Sequence, residues 1–540
     1  MQGIAIAVVA LALAGAPGAG AQQEAHQHDT GQLGTVNFAN SCRAEVQPVL
    51  ARGMALLHSF EFGPAIEAFT TVTGTDPSCS IALWGIALAQ WGNPFANAAR
   101  PAAQLQAGRA TLERAAAIPT MTPRERDYVA AATALYDRSD TVDQGTRRRA
   151  YRDSMALVAA NYPDDPEASV FYALALAAAA DPTEKSYADQ LKAGAILEKL
   201  WLSQPQHPGM AHYIIHSYDV PALAPRAVDA ARRYAKIAPD APHALHMPSH
   251  TFTRLGYWQD SIETNLLSAA AARKVNAIGE ELHASDYLAY AYLQSGQDGA
   301  ARKVADALPE ILARRDPATA SAAPPAAAAY ALAAIPARYA LERSAWADAA
   351  RLDARTTAFS YVDALSWFAK ALGAARGRDV RAARAAVEEI QRCLDRTVAS
   401  RETYWVEQVT IEKLAANAWL ALAEDRAADA LALMREAADR EDRTEKAAIS
   451  PGPLAPAREL LGEMLLELKQ PNEALVAFQK TIAKEPSRFR AVAGALRAAS
   501  AAGDESAARK YAGQLVAICA RADAAARPEL QAARVLVQGR

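Results

Sequence analysis

Ten histidines are spread unevenly along the 540 residues, and their spacing is the first feature with chemical content. His26 and His28 stand near the start, and His58 stands alone. The other seven, His207, His212, His216, His243, His246, His250 and His283, crowd into one central stretch, and none follows His283. His212 and His216 are four residues apart, as are His246 and His250, a spacing that puts two side chains on one helix face. Such a pair can hold one metal ion from a single helix. Packed helices lie roughly 8–10 Å apart, so imidazoles from neighbouring helices can converge. His212, His216, His246 and His250 then form one four-nitrogen site. Alternatively, subsets form two three-ligand sites, with Asp286 or His283 completing one. With His243 in the same stretch, the candidate metal set is His212, His216, His243, His246, His250, His283 and Asp286. Imidazole suits several transition metals, and Zn or Cu is the expectation. A three-histidine site with an open position suits hydrolysis or oxidation.

Two features qualify this chemistry. Tyr213, Ile214 and Ile215 follow His212, so the general base of a His-Glu-x-x-His motif is missing. A base would have to be Glu280, Glu281 or Asp286, or come from elsewhere. Pro248 falls between His246 and His250, where a helix interior would lose a backbone bond and kink. A helix starting at Met247 would instead leave His243 and His246 on a loop. The competing expectation is a scaffold whose groove binds a peptide or partner protein, with histidines as donors whose charge changes near pH 6.5. His58 has no partner at helical spacing, and the His26/His28 pair is a weak metal signal.

The elements that must carry these residues are helical. Alanine, the best helix former, is very common, and nothing in the composition points to a large sheet. The length exceeds one compact core and suits an extended array. With 57 basic and 60 acidic residues and no basic stripe, nucleic acid is not an expected partner. The apolar run Ile4 to Gly15, followed by Ala19-Gly20-Ala21, reads as a signal peptide over 1–21 although its start lacks Lys or Arg. No later segment reaches transmembrane length, so the mature chain is expected without a membrane span, periplasmic or secreted. An oxidising compartment permits a Cys42–Cys79 disulfide, provided the Cα atoms come within roughly 7 Å. Cys393 and Cys519 read as buried thiols. No Cys-x-x-Cys occurs, which excludes a cysteine zinc ribbon.

Periodicity supplies the architecture. Residues 453–486 contain Leu460-Leu461-Gly462, then Asn472-Glu473-Ala474-Leu475, Phe478 and a closing Glu485-Pro486. This resembles the tetratricopeptide repeat (TPR) consensus, two helices per unit, each apolar stripe buried by the next pair. Pro208 and Pro242 stand one TPR period of 34 residues apart. Leu56 to Phe60 with Ala65 to Phe69, 282–312, 360–397 and 402–440 read as further helix pairs, and a last helix over about 525–538 as a cap. The expected fold is an all-α, helix-turn-helix solenoid of TPR-like repeats. A polar leader covers 22–37, an N-terminal array with the histidines 38–315, an Ala/Pro/Ser-rich linker 316–329, and a C-terminal array 330–540. Counted from Pro208 and Pro242, His212/His216 and His246/His250 occupy positions 5 and 9 of successive first helices, and His243 position 2. Counted from Leu282, those positions hold His283, Asp286 and Tyr290. The TPR resemblance implies that such positions line the concave groove. Tyr404-Trp405 reads as core, and Arg147-Arg148-Arg149 as a solvated helix face.

Three stretches carry a narrower resemblance: Cys79-Ser-Ile-Ala-Leu-Trp-Gly-Ile-Ala, His207-Pro-Gly-Met-Ala-His-Tyr-Ile-Ile-His-Ser-Tyr-Asp and Ala241-Pro-His-Ala-Leu-His-Met-Pro-Ser-His. They resemble an uncharacterised family of bacterial secreted TPR proteins, which brings no established activity. Relatives carry a His-Pro before a Thr-Pro-Gly-Pro-like turn. Here that place reads Ala447-Ala448-Ile449-Ser450-Pro451-Gly452, so a ligand, if that histidine served as one, is lost.

Overall fold

The computed structural model describes residues 31–96, 99–314, 323, 325–525 and 527–539. The expected signal peptide, His26 and His28, most of the leader and most of the 316–329 linker lie outside the described residues. Gln32 to Arg540 form one compact unit. Among the described residues it holds helices and loops and no strand. Successive helices pair and stack: Gln47–His58 with Phe62–Thr75, Pro208–Ser217 with Val228–Ile237, Ile278–Gln294 with Asp298–Ala313, Ser360–Arg376 with Val380–Ala399, Thr403–Ala423 with Ala427–Asp442, and Ala457–Glu467 with Pro471–Lys484. The helix Pro528–Gln538 closes the array. The all-α solenoid of TPR-like repeats is the fold of the chain.

Small residues explain how the pairs close. Phe69 is fully buried between two glycines of the flanking helices. A Cβ on Gly53 would meet its ring at 2.7 Å, and one on Gly85 at 2.5 Å. The same joint recurs near the other end, where Phe478 touches Gly462 at 2.8 Å and Gly494 at 2.3 Å on the same measure. An aromatic from the second helix of a unit thus seats between backbones that only glycine lets approach. Apolar side chains gather in one core running from Leu33 to Phe252 and another from Ala323 to Ala533, with smaller clusters between.

Pro248 divides its helix, into Pro242–His246 and Pro248–Leu255. Proline has no N–H to continue the ladder. Met247 between them keeps helical dihedrals (φ −52°, ψ −36°), so the path continues. His243 and His246 therefore stand on a helix rather than a loop. The second piece ends at Gly256, with φ +69°, a left-handed cap that glycine takes without strain.

Residues 31–43 lack regular structure before the first helices, yet Leu33, Val36 and Phe38 are buried. The Thr35 N–H donates to the Gln206 carbonyl at 2.9 Å. Cys42 and Cys79 are disulfide-bonded with their Cα atoms 4.8 Å apart, and Cys393 and Cys519 are buried and free. Arg147 is no solvated side chain: it is buried, with its guanidinium 5.5 Å from the Trp91 ring centre.

Candidate metal centre

Six of the seven candidate residues come together, as two triads. His212 and His216 project from Pro208–Ser217, His243 and His246 from Pro242–His246, His250 from Pro248–Leu255, and His283 from Ile278–Gln294. His212, His216 and His243 form one triad and His246, His250 and His283 the other. Within each, one ring nitrogen per residue lies within 4.8 Å of the other two. The triads adjoin, with ring centres 5.8 Å apart for His216 and His250 and 6.1 Å for His243 and His246. Of the alternatives open from spacing, the geometry matches two three-histidine sets with His283 completing the second. Asp286 is elsewhere: its Oδ1 accepts from Arg338 Nε at 2.9 Å, and both side chains are buried.

The rings are not on an open groove. His216 is the most exposed at 8%, and the other five are 4% or less. The groove positions expected from the repeat register are covered here by packing. Phe60 sits 4.3 Å from the His212 ring centre, and Phe95 stacks 4.0 Å from His216. Tyr287 meets His246 edge-on at 4.8 Å, and its hydroxyl donates toward the Ser450 carbonyl at 3.1 Å. Behind Phe60 and Tyr213 lies an apolar cavity of about 40 Å³, with Trp91 and Phe171 among its walls.

Hydrogen bonds on one side of the rings fix the protons. His212 Nδ1 faces the His58 carbonyl at 2.7 Å, and a carbonyl only accepts, so Nδ1 carries the hydrogen. His246 Nδ1 faces Asn265 Oδ1 at 2.7 Å, and Asn265 Nδ2 donates to the Ser261 carbonyl at 2.7 Å, which sets the amide's orientation. His250 Nδ1 donates to the Asp219 carboxylate at 3.0 Å, and His243 Nδ1 lies 3.4 Å from Glu280 Oε2. In a neutral imidazole the other nitrogen, Nε2, is then a bare lone pair. Nε2 of His212, His216 and His243 is buried without a partner, as is Nδ1 of His283. His246 Nε2 and His250 Nε2 face each other at 3.1 Å. Anchoring one ring nitrogen on a carboxylate or carbonyl and leaving the other free is how metal-ligating histidines are held.

Electrostatics keep His212, His216, His246, His250 and His283 neutral. Burial first, then the neighbouring imidazoles, push His212, His216, His246 and His283 well below the ordinary histidine range. Burial also lowers His250, to about 4, against the pull of Asp219. Asp219 stays well below the usual carboxylate range despite its burial, because Lys446 and Arg254 face it. Lys446 Nζ donates to Asp219 Oδ2 at 3.0 Å and Arg254 Nε to Oδ1 at 2.8 Å. Lys446 adjoins the very segment, 447–452, in which the chain departs from its resemblance. The C-terminal half thus reaches the second triad through the carboxylate that holds His250.

A third group, His58, Glu167 and His207, was not assembled from spacing. His207 Nδ1 accepts the Met210 N–H at 3.2 Å, so its Nε2 donates to Glu167 Oε1 at 2.7 Å. His58 Nε2 donates to Glu167 Oε2 at 3.0 Å, and its Nδ1 accepts from the Tyr213 hydroxyl at 3.0 Å. Every ring nitrogen of this group is used. Cys42, Asp76 and Cys79 also lie close together, but both sulfurs are spent in the disulfide.

No family model and no curated protein matches the chain. Among solved structures the chain is similar to the human IFIT1 dimer with m7Gppp-AAAA, at 12% identity over 89% of this chain and 96% of that one, with a TM-score of 0.39. It is similar to the human IFIT1 dimer with PPP-AAAA at 12% identity, 89% and 96% coverage and a TM-score of 0.37. For the P58(IPK) TPR domain the values are 12% identity, 92% and 99% coverage and a TM-score of 0.21. Among the described residues no helix is long and apolar enough to cross a membrane.

Proposed function

We propose that this chain is a TPR-like protein that binds transition-metal ions, Zn or Cu, through two adjoining histidine triads, to carry them or to support metal-dependent chemistry. The observation that carries the reading is the pair His246 and His250. Their Nε2 atoms stand 3.1 Å apart while Nδ1 of each faces an acceptor. Two lone pairs at that distance repel, and a cation between them turns the repulsion into attraction. His212 and His243 repeat the pattern next door, and His216 Nε2 is unpartnered beside them. Leaving such atoms buried and unpaired costs about 1–3 kcal/mol each.

His212, His216 and His243 would hold one ion, and His246, His250 and His283 the other. When bound, an ion ligated by three imidazoles supplies Lewis-acid or redox chemistry at its open position. The chain contributes neutral ligands, ring orientation through His58, Asn265, Asp219 and Glu280, and exclusion of water. A periplasmic or secreted location belongs to the same proposal, supported by the apolar N-terminal run and the Cys42–Cys79 bridge. A peptide or protein partner would have to dock away from the histidines, whose burial leaves no strand of backbone room beside them.

Elemental analysis of the tag-free protein tests this, beside His212→Ala and His250→Ala. We expect about two ions per chain in the parent and about one in each variant, one ion per three-ligand site. A chain without metal, even after reconstitution with Zn or Cu, overturns the reading.

A further inference from the structure

The C-terminal half contains a second cavity, of about 50 Å³, that the histidines do not touch. Tyr330, Tyr361, Trp405, Gln408, Glu412 and Glu441 are among its walls. Tyr404, Trp405, Gln408 and Glu412 all come from the helix Thr403–Ala423, so the aromatic pair read as core from sequence fronts a hollow.

Three polar atoms in these walls are buried without a partner: the Tyr361 hydroxyl, Gln408 Nε2 and Glu412 Oε2. Tyr361 is only 3% exposed. Its ring lies parallel to Trp405 with centres 4.1 Å apart, which fixes both side chains. Among the described residues no cation is ion-paired with Glu412 or Glu441. Glu441 accepts the Ala457 N–H at 2.7 Å, and Lys446, the basic residue at the wall, is spent on Asp219. A hollow of aromatic rings with an uncompensated carboxyl and no metal-ligating set is matched to a cation that is large, weakly hydrated and itself partly apolar.

We propose that this cavity binds a small organic ammonium ion, with Glu412 as its counter-ion and Tyr330, Tyr361 and Trp405 as its aromatic walls. A water would pair one or two of the orphaned groups but give the Glu412 carboxyl no counter-charge. A bare alkali ion would gain little from the rings. An alkylated ammonium satisfies both. Gln408, whose amide can present either end, orients a hydroxyl or carbonyl on the same ligand. Burial, then the charge of Glu441, raises Glu412 to about 8, so an arriving cation displaces the Glu412 proton. Charge then balances, because one cation enters and one proton leaves.

The experiment is calorimetric titration of the full chain at pH 7 with choline, with tetramethylammonium and with 3,3-dimethylbutan-1-ol, the uncharged carbon isostere of choline. Proton release is followed with an indicator dye in weak buffer. Choline should bind at least tenfold more tightly than the alcohol, a margin of about 1.4 kcal/mol that one desolvated cation–aromatic contact reaches. Its binding should release a proton, and Glu412→Gln should abolish that release and weaken choline about tenfold. Equal affinity for choline and the alcohol in the parent protein overturns the proposal whatever the variant does. So does binding of neither ammonium ion up to about 10 mM, a limit weaker than an affinity of about 3 kcal/mol.

Discussion

Two sets of buried histidines stand a few residues apart and behave oppositely. In the His58–Glu167–His207 group each ring nitrogen has a partner, and one carboxylate neutralises and joins two rings. In the two triads the rings are as deeply buried, yet one nitrogen after another is left bare. The difference teaches that clustering and burial of histidines do not by themselves indicate a ligand site. The unspent lone pair does. The first group is complete as the chain folds, while the triads keep buried ring nitrogens without a partner.

The sharpest way to break this contrast is to remove the keystone of the closed group. Glu167→Ala should cost about 3–5 kcal/mol in denaturant unfolding, because it strands two buried donors, and the loss should be the same with or without chelator. A chelator-dependent loss would place metal in the closed group instead. Next comes metal itself. Stripping the parent protein should cost about 3–4 kcal/mol of stability for each site when the ion had been present at some hundred to a thousand times its dissociation constant. A His212→Ala/His246→Ala chain should show no such loss on chelation, which a thermal melt reads directly.

Acid should act on the triads in a definite window. His212, His216, His246, His250 and His283 have folded-state values below the unfolded 6.5, so the unfolded chain binds more protons between those values. For His250 the window runs from 6.5 to about 4. Stability of the metal-free protein should therefore fall as pH drops through that range and be recovered above it. Glu167 is lowered too, from its ordinary 4.5: burial opposes ionisation, but His207 and His58 outweigh it. Its own contribution is fully present above 4.5 and is lost only at more acid pH. The smallest effect belongs to His283→Phe in metal-free protein. Its Nδ1 has no partner, so an apolar ring of similar shape should change stability by less than about 1 kcal/mol while lowering metal content.

Much of this was legible before any coordinates. The repeat spacing placed the helix pairs because Phe69 and Phe478 need glycine neighbours at fixed offsets, and such offsets persist in sequence. The triads were legible as far as the four-residue spacing and the repeat register bring residues together. Asp286 occupied the right register position but turned to Arg338, a partner 52 residues away that no local pattern announces. Glu167 was invisible for the same reason, standing 109 residues from His58. The register also gave the facing direction of the rings without telling that Phe60, Phe95 and Tyr287 close over them. The cavity beside Trp405 could not be read at all, because a side chain that fills a core and one that walls a hollow have the same composition.

The contact between Lys446 and Asp219 spans 227 residues, and Tyr287 reaches Ser450 across 163. Such closures form late, since a long stretch of chain must be fixed before either end gains anything. A chain emerging from its N-terminus presents all ten histidines long before the lysine that braces Asp219, the partner of His250, exists. The second triad therefore matures only when the last third of the chain has folded back. Shortened products ending before Lys446 would carry every imidazole and still lack the finished cage.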